Sequence, residues 1–240
     1  MKIAIGTRFY GKDAEKLPEL EAFVRKAAEF VDEVFVAINE TEDKTRALDY
    51  LRKLEIPKLH VLGINAWGKF TTALNTIVYH TSSERFSHVL FCSPEIELSR
   101  EMIEELASYM DEATLVVGAA VAGHEFEEGE HVGTGSRVPW NTLALWNLKY
   151  LARTGFVLAA DAPFAPDAAG VEEVATCAVL QTLYPQLLVK LVALGKVKWN
   201  VDKSRIDVHI KKIESKNSRA EQQLKFLELQ APKVVHVSYS

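Results

Sequence analysis

Polar side chains follow several short apolar segments of this sequence, and their types suit the binding of anions, cations and protons. Arg8 follows the first apolar segment, Lys69 follows a later one, and Glu172 and Glu173 stand side by side further along the chain. An arginine donates paired hydrogen bonds to phosphate oxygens, and a lysine at a helix start lies where anions are favoured. A carboxylate ligates hard cations or accepts a proton. These polar clusters are the residues with which the chain could do chemistry.

Apolar and amphipathic segments alternate through the first half of the chain. The apolar segments predict strands at 2–6, 33–38, 59–62, 88–91 and 115–122. The amphipathic segments predict helices at 13–30, 43–54, 69–80 and 100–110. This alternation predicts an α/β fold with a mainly parallel sheet and helices on both faces. Ligands of such sheets bind beyond the carboxyl ends of the strands, which here means 7–10, 39–43, 63–69 and 92–97.

The second half of the chain is less regular. We predict loops at 123–139 and 161–170, helices at 141–153, 171–184 and 202–229, and a last strand at 233–239. No linker clearly separates two domains. We expect one α/β domain over residues 1–200, followed by a helical extension and a terminal strand over 201–240.

Composition and charge exclude several classes of protein. The 240 residues carry a net charge of −5, and no basic block could neutralise several phosphates at once, so a nucleic-acid partner is not expected. No segment approaches the roughly 20 apolar residues of a membrane span. Cys92 and Cys177 lack the spacing of a zinc site or a disulfide scaffold. We expect a cytoplasmic protein in a reducing compartment, and the sequence carries no indication of its oligomeric state.

Common nucleotide-binding and catalytic motifs are absent from the sequence. No GxGxxG follows the first strand, and there is no P-loop, no GxSxG and no HExxH. The stretch at 6–11 is also too poor in glycine and lysine for the loop of a nucleotidyltransferase. Any function therefore has to come from the polar clusters at the strand ends.

Four segments in order resemble those of family 2 glycosyltransferases, which have the GT-A fold. The first two similar segments are Asn39-Glu40-Thr41-Glu42-Asp43, at the second strand end, and Asn65-Ala66-Trp67-Gly68-Lys69 with Ala73-Leu74-Asn75. The other two are Ser93-Pro94-Glu95, at the D-x-D position, and Gly170-Val171-Glu172-Glu173, at the G-x-E-D position. The resemblance covers roughly residues 1–185 and implies a GT-A type, Rossmann-like fold.

The resemblance implies transfer of a sugar from a nucleoside diphosphate sugar to a hydroxyl acceptor, which would be a glycan, a lipid or a small molecule. It implies inversion at the anomeric carbon, with Glu173 as the general base and Glu172 as the second choice. The alternative for this pair is stabilisation of a helix N-terminus. The candidate nucleotide-sugar-binding residues are Thr7, Arg8, Asn39, Glu40, Gly68, Lys69, Asn75 and Ser93. Trp140 and Asn141 are the candidate acceptor-binding residues, because an indole stacks on sugar rings and an amide bonds hydroxyls.

The D-x-D position departs from the pattern of the family, whose two aspartates hold Mn²⁺ or Mg²⁺. Ser93 replaces the first carboxylate, and Glu95 is the remaining ligand. Glu97 is a reserve ligand, and His236 is a candidate for the late histidine that often completes the metal shell, with His209 a weaker one. Two alternatives follow from this departure. Arginine and lysine could neutralise the phosphates without a metal, or the chain could bind a nucleotide or glycan without turnover.

Overall fold

A nine-stranded sheet organises the residues that the computed structural model describes, namely 1–10, 14–40, 45–195, 197–200, 210–211 and 213–238. The strands are β1 (Ile3–Phe9), β2 (Glu33–Asn39), β3 (Leu59–Ile64), β4 (His88–Cys92), β5 (Thr114–Ala119), β6 (Gly129–Val132), β7 (Leu143–Asn147), β8 (Leu188–Ala193) and β9 (Lys233–Ser238). Their order is β3-β2-β1-β4-β7-β5-β8-β9-β6. Neighbouring strands are parallel, except that β7 is antiparallel to both β4 and β5, and β6 is antiparallel to β9. The predicted α/β class with a mainly parallel sheet is confirmed.

Seven α-helices accompany the sheet in the described part of the chain. They are α1 (Leu17–Ala28), α2 (Thr45–Arg52), α3 (Thr71–Ser83), α4 (Arg100–Ser108), α5 (Leu148–Thr154), α6 (Glu172–Leu183) and α7 (Lys216–Leu227). Short 3₁₀ helices occupy Ala14–Lys16, Leu158–Asp161 and Pro166–Ala168. None of the described helices is both long enough and apolar enough to cross a membrane.

Alternate residues of the central strands enter two apolar layers, one on each face of the sheet. In β2, Val34, Val36 and Ile38 pack in the layer that contains α1 and α2, whereas Phe35 and Ala37 pack in the layer that contains α3. All five side chains are fully buried. Burial of one large aliphatic side chain contributes about 1.5–3 kcal/mol, so the two layers fix the sheet and the points at which its strands end.

The predicted helix at 141–153 is wrong in its first half, which is strand β7. Every residue of β7 is buried, and the strand pairs antiparallel with both β4 and β5. A short, fully apolar run has no period that separates a strand from a buried helix. The strand ends at Asn147, whose side chain accepts a hydrogen bond from the Lys149 amide and caps α5.

Two further strands occur where the sequence analysis predicts none. Strand β6 lies within the predicted loop at 123–139 and pairs antiparallel with β9. Strand β8 pairs in parallel with β5 on one side and β9 on the other. The predicted terminal strand is confirmed over Lys233–Ser238, while residues 202–209 of the predicted helix at 202–229 lie outside the described residues. The boundary at residue 200 stays a prediction.

Candidate active site

A cavity of about 280 Å³ opens at the carboxyl edge of the sheet, where β1 and β4 end side by side. We call it the edge cavity. Its wall consists of residues 6–8, 91–94, 140–142 and 170–173, together with Phe70, Leu74, Trp199, Ile213, Lys216 and Arg219. This is the edge at which α/β sheets bind their ligands.

Two buried carboxylates at the start of α6 form one wall of the edge cavity. The side chains follow Gly170 and Val171, both of which have positive φ angles, 96° and 54°. A β-branched residue in the left-handed region costs on the order of 1–3 kcal/mol, and such strain concentrates at functional sites. The turn directs Glu172 and Glu173 to the cavity, where they are 3% and 4% exposed.

The two carboxylates differ in their hydrogen bonds. The backbone amide of Asn141 donates to Oε1 of Glu173 over 2.6 Å, and the Asn141 side chain donates to Oε1 of Glu172 over 3.3 Å. Oε2 of Glu173 is buried and has no hydrogen-bond partner among the described residues. Burial, assisted by the charge of Glu172, raises the pKa of Glu173 to about 7. A carboxyl group with that pKa is suited to accept a proton near neutral pH.

Arg8, at the end of β1, ties the carboxylate pair to the start of α3. Its Nη1 donates to the Phe70 carbonyl over 3.1 Å, and its Nη2 lies 3.4 Å from Oε1 of Glu172. The guanidinium also lies 5.2 Å from the centroid of the Phe70 ring. About a third of the Arg8 side chain stays exposed, so the group is held in place and still open to a ligand.

Helix α7 brings two more cations into the edge cavity. Lys216 and Arg219 lie one turn apart, and both line the cavity. Nη1 of Arg219 donates to the Ala169 carbonyl over 2.8 Å, and the Lys216 ammonium lies 3.5 Å from the centroid of the Trp140 ring. Burial lowers the pKa of both groups, and the carboxylates of Glu172 and Glu173 counteract that effect.

The same face of α7 anchors the helix on the segment before α6. The Gln223 amide donates to the carbonyls of Ala168 and Gly170, and the Phe226 ring stacks on Phe164 with centroids 4.0 Å apart. Gln223 is fully buried. Residues 216, 219, 223 and 226 thus repeat at intervals of three and four, the period of one helix face.

Both candidate acceptor-binding residues line the edge cavity, but neighbours already use much of the surface of Trp140. The His124 ring stacks on this indole at 3.7 Å, the ammonium of Lys216 lies over it, and its Nε1 donates to Gly135. Trp140 is 2% exposed, so almost none of its indole is open to a sugar ring. Asn141 contacts both carboxylates and also accepts from Nε1 of Trp146 over 2.9 Å.

The candidate nucleotide-binding residues of β2 lie at the same edge but outside the lining of the edge cavity. In the pairing of β1 with β2, Ile38 lies opposite Phe9, the last residue of β1. Asn39 is the next residue along β2. Asn39 is buried, and the Glu40 carboxylate packs against Gly63, where an added Cβ would lie 2.7 Å from Oε2. Residues 41–44 lie outside the described residues.

Gly68, Lys69 and Asn75 also lie outside the lining of the edge cavity. Lys69 is exposed and donates to the Pro166 carbonyl over 3.3 Å. The Asn75 amide pairs with the backbone of Phe156, accepting from its N–H over 2.7 Å and donating to its carbonyl over 2.9 Å. Gly68 has a φ of 65°, which favours glycine. In the structure Asn75 joins α3 to the segment after α5.

The sequence analysis does not single out Asp161, whose carboxylate caps α3 from a distant part of the chain. Oδ1 accepts from the amides of Phe70 and Thr71 over 2.8 and 3.0 Å, and Oδ2 accepts from the Thr71 hydroxyl over 2.9 Å. Helix starts leave such amides without intrahelical partners. Asp161 thereby fixes Phe70, which binds Arg8 in turn.

The three candidate metal ligands do not come together in the structure. The Glu95 carboxylate accepts from Nε1 of Trp199 over 3.2 Å, and Glu97 pairs with Lys198 over 3.1 Å. His236 is buried in β9, with Nε2 2.9 Å from the Arg137 carbonyl and Nδ1 against the backbone of residue 127. No group of three potential metal-ligating side chains occurs among the described residues, and His209 lies outside them. This set of donors does not fit a divalent cation.

The edge cavity thus collects some of the predicted site residues and adds others. Those it brings together are Thr7, Arg8, Ser93, Trp140, Asn141, Glu172 and Glu173. Lys216 and Arg219 are additions. Their only sequence signal is that Lys216, Arg219, Gln223 and Phe226 recur at intervals of three and four on a mostly polar helix. The cavity therefore combines a buried general-base candidate with three cations.

Comparison with solved structures identifies the type of fold. No protein-family model and no curated protein sequence matches the chain. The chain is similar to a mannosyltransferase from Pyrobaculum calidifontis in complex with GDP-Man and Mn²⁺, with a TM-score of 0.66 and 14% identity. The match covers 96% of this chain and 66% of that one, slightly less than two thirds of its length.

Two other solved structures are similar over most of the chain. One is residues 1–349 of TarS from S. aureus in complex with UDP, with a TM-score of 0.53, 16% identity and coverage of 95% of this chain and 71% of that one. The other is glucosyl-3-phosphoglycerate synthase from Mycobacterium tuberculosis in complex with Mn²⁺, UDP and phosphoglyceric acid. Its TM-score is 0.54 and its identity 14%, and the match covers 91% of this chain and 78% of that one. At this identity the likeness shows a shared GT-A type fold, as the sequence resemblance implies.

Proposed function

We propose that this chain, with its GT-A type fold, transfers a sugar from a nucleoside diphosphate sugar to a hydroxyl acceptor with inversion at the anomeric carbon. One observation carries the proposal: Glu173 is buried in the wall of the edge cavity with one oxygen fixed by Asn141 and the other without a partner among the described residues. The solved structures of this fold named above include complexes with GDP-Man and with UDP, which supports a nucleotide sugar as the donor.

The proposed reaction is a single displacement. The acceptor oxygen attacks the anomeric carbon and forms the new glycosidic bond, while the bond from that carbon to the diphosphate oxygen breaks. The electron pair of the broken bond leaves with the nucleoside diphosphate. The proton of the acceptor hydroxyl passes to Oε2 of Glu173, because Oε1 already accepts from Asn141. Glu172 accepts from Asn141 and pairs with Arg8, so we assign it a positioning role.

The nucleoside of the donor would lie at the ends of β1, β2 and β3. Asn39 and Glu40 end the middle strand of these three. The Tyr10 ring lies 5.9 Å from the Trp67 ring, which connects the segments after β1 and β3, and Tyr10 is exposed. Aromatic rings and amide groups are the usual partners of a nucleobase. Arg8 lies between this region and the carboxylate pair, where a diphosphate would connect nucleoside and sugar.

The test of the base is Glu173→Gln, which preserves the size of the side chain and its hydrogen bond to Asn141. With UDP-glucose and GDP-mannose as donors, we expect the variant to lose at least about 10²-fold in donor hydrolysis or transfer. Donor affinity should stay within about twofold of the wild type, since the carboxylate receives a proton from the acceptor. Glu221→Gln, at an exposed position on α7, is the matched control. Unchanged turnover in Glu173→Gln would remove the base assignment.

The alternative is a domain that binds a nucleotide or glycan without turnover, and it is favoured by Ser93 at the D-x-D position. Calorimetric titration with UDP and GDP, alone and with Mn²⁺, separates the two functions when combined with the donor assay. Nucleotide binding with neither hydrolysis nor transfer would support the binding domain. Transfer that depends on Glu173 would exclude it.

A further inference from the structure

We propose that Arg8, Lys216 and Arg219 form a diphosphate-binding cation cluster, which takes the place of a metal ion in neutralising the leaving group. This inference rests on the proposed function and deepens it. The three residues come from β1 and from two successive turns of α7, and all three line the edge cavity. We call them the cation cluster.

Backbone carbonyls orient both guanidinium groups of the cluster at the cavity wall, and Arg8 also pairs with Glu172 over 3.4 Å. Arg8 donates to Phe70, and Arg219 donates from Nη1 to Ala169. The Arg219 guanidinium also packs on Gly170, where an added Cβ would lie 2.6 Å from Nη1. A carbonyl dipole orients a guanidinium without cancelling its charge. A guanidinium at a cavity wall suits the paired hydrogen bonds that arginine makes to phosphate oxygens.

Lys216 supplies the third charge from above the Trp140 ring. Its ammonium makes no hydrogen bond or ion pair with a residue that the structure describes and rests on the indole face instead. A cation–π contact contributes only about 0.5–2 kcal/mol and does not neutralise the charge. A half-buried ammonium in that position gains from an anion entering the cavity.

The described residues that line the cavity carry an excess of positive charge. Three cations face the carboxylates of Glu172 and Glu173, and burial raises the pKa of Glu173, so part of its population is neutral near neutral pH. Confined cations without matching anions are costly. The negative charge of a diphosphate offsets this excess. The cations contact the leaving group, while Glu173 is left to act on the acceptor.

The candidate metal ligands support the same assignment. The carboxylates of Glu95 and Glu97 accept from Trp199 and pair with Lys198, and neither residue lines the edge cavity. Two of the solved structures of this fold are complexes that contain Mn²⁺ together with GDP-Man or with UDP. In this chain the described residues around the cavity supply lysine and arginine instead.

The test is a calorimetric titration of the full chain with pyrophosphate, UDP and GDP in the presence of EDTA. We expect wild type to bind these without metal, and Lys216→Gln and Arg219→Gln each to weaken pyrophosphate binding by about tenfold or more. Lys225→Gln, at an exposed position on α7, should bind within about twofold of wild type. Raising the ionic strength should weaken wild-type binding more than that of either cavity variant.

Charge-preserving variants separate loss of the charge from loss of the fold. Lys216→Arg and Arg219→Lys should keep more pyrophosphate affinity than the glutamine variants. Pyrophosphate binding by wild type that requires Mn²⁺, or glutamine variants that bind as tightly as wild type, would overturn the cation cluster.

The outcomes for the cluster and for sugar transfer are distinguishable. Sugar transfer that needs Mn²⁺ and is unaffected in Lys216→Gln and Arg219→Gln would overturn the cluster and leave the proposed function intact. The opposite result is also recognisable. If wild type binds pyrophosphate without metal and both variants lose that binding, the cluster is supported. If the same chain neither binds UDP or GDP nor transfers sugar, the proposed function is overturned.

Discussion

The backbone amide of Asn141 donates a 2.6 Å hydrogen bond to Oε1 of Glu173 from a segment that precedes β7 in the sheet. A neutral donor fixes one oxygen of the carboxylate without adding a cation to it. Burial and Glu172 therefore keep the pKa of Glu173 raised, although the amide itself acts in the opposite direction. The base candidate is thus held by the sheet and kept weakly acidic by its surroundings.

Glu173→Gln should stabilise the fold increasingly as pH rises. The folded-state pKa of Glu173 is about 7 against an ordinary value of 4.5, so the folded protein binds more protons between these values. Its contribution to stability is fully present below about pH 4.5 and is lost as pH rises through about 7. Glutamine does not ionise, so the stability that the variant gains above about pH 7 should be on the order of 3 kcal/mol. Urea unfolding of the variant and the wild type across this pH range measures the difference in their free energies of unfolding. A difference that is independent of pH would contradict the raised pKa.

Activity should depend on pH through the same group. Transfer needs the deprotonated carboxylate, so kcat/KM should rise as pH increases through about 7. A pH profile measured with the donor that turns over fastest tests this expectation. A profile whose acid limb lies near pH 4.5, the ordinary value for glutamate, would indicate that another group limits the reaction.

Gly170→Ala should destabilise the fold and weaken pyrophosphate binding together. The residue has a φ of 96°, and an alanine Cβ there would lie 2.6 Å from Nη1 of Arg219. Gly129→Ala is a matched control, because Gly129 also has positive φ, 119°, but an added Cβ meets nothing within 4 Å. The control should lose about 1 kcal/mol by denaturant unfolding and keep its pyrophosphate affinity. Equal effects of the two substitutions on binding would argue against the role of Arg219.

Asp161→Ala should lower the free energy of unfolding by about 2 kcal/mol, because two amides and one hydroxyl at the start of α3 lose a charged acceptor. Asp167→Ala, at an exposed position in the same loop region, should change it by less than about 0.5 kcal/mol. Chemical denaturation of both variants makes the comparison. Similar values for the two would show that Asp161 is not a significant cap.

Asn75→Asp should reduce stability without a direct effect on nucleotide binding. The substitution keeps an acceptor for the Phe156 amide but puts a carboxylate oxygen against the Phe156 carbonyl, at a cost of about 2 kcal/mol. Asn65→Asp, in an exposed turn, is the control. Denaturation and UDP or GDP titration are measured on the same samples. A large loss of nucleotide affinity with unchanged stability would support the binding role that the sequence resemblance implies.

Local patterns explain which parts of the site could be predicted from sequence. The alternating strands and helices of the first half have distinct periods, so the ends of β2 and β4 follow from them to within one residue, whereas β1 continues to Phe9, beyond its predicted end at residue 6. The pair Glu172 and Glu173 is indicated by the resemblance of Gly170-Val171-Glu172-Glu173 to the G-x-E-D segment. Both features depend on neighbouring residues, and both lie at the carboxyl edge of the sheet in the structure.

Long-range pairing explains what could not be predicted. Strand β7 is a strand because β4 and β5 flank it, and its own run of buried apolar residues fits a helix equally well. Lys216 and Arg219 enter the cavity because Gln223 and Phe226 dock the same helix face, and composition alone makes α7 a solvated helix. His236 looks like a ligand in sequence, but its partners are carbonyls that only the fold brings near.

The order of the site elements along the chain has a consequence for biosynthesis. Ribosomes make the carboxylates of α6 before the cations of α7, and β9, which fits between β8 and β6, emerges later still. A nascent chain therefore exposes two acidic groups and an open sheet edge until the later segments arrive. Arrest of translation before α7 would leave the pocket half assembled, with Arg8 but neither Lys216 nor Arg219 beside the two carboxylates.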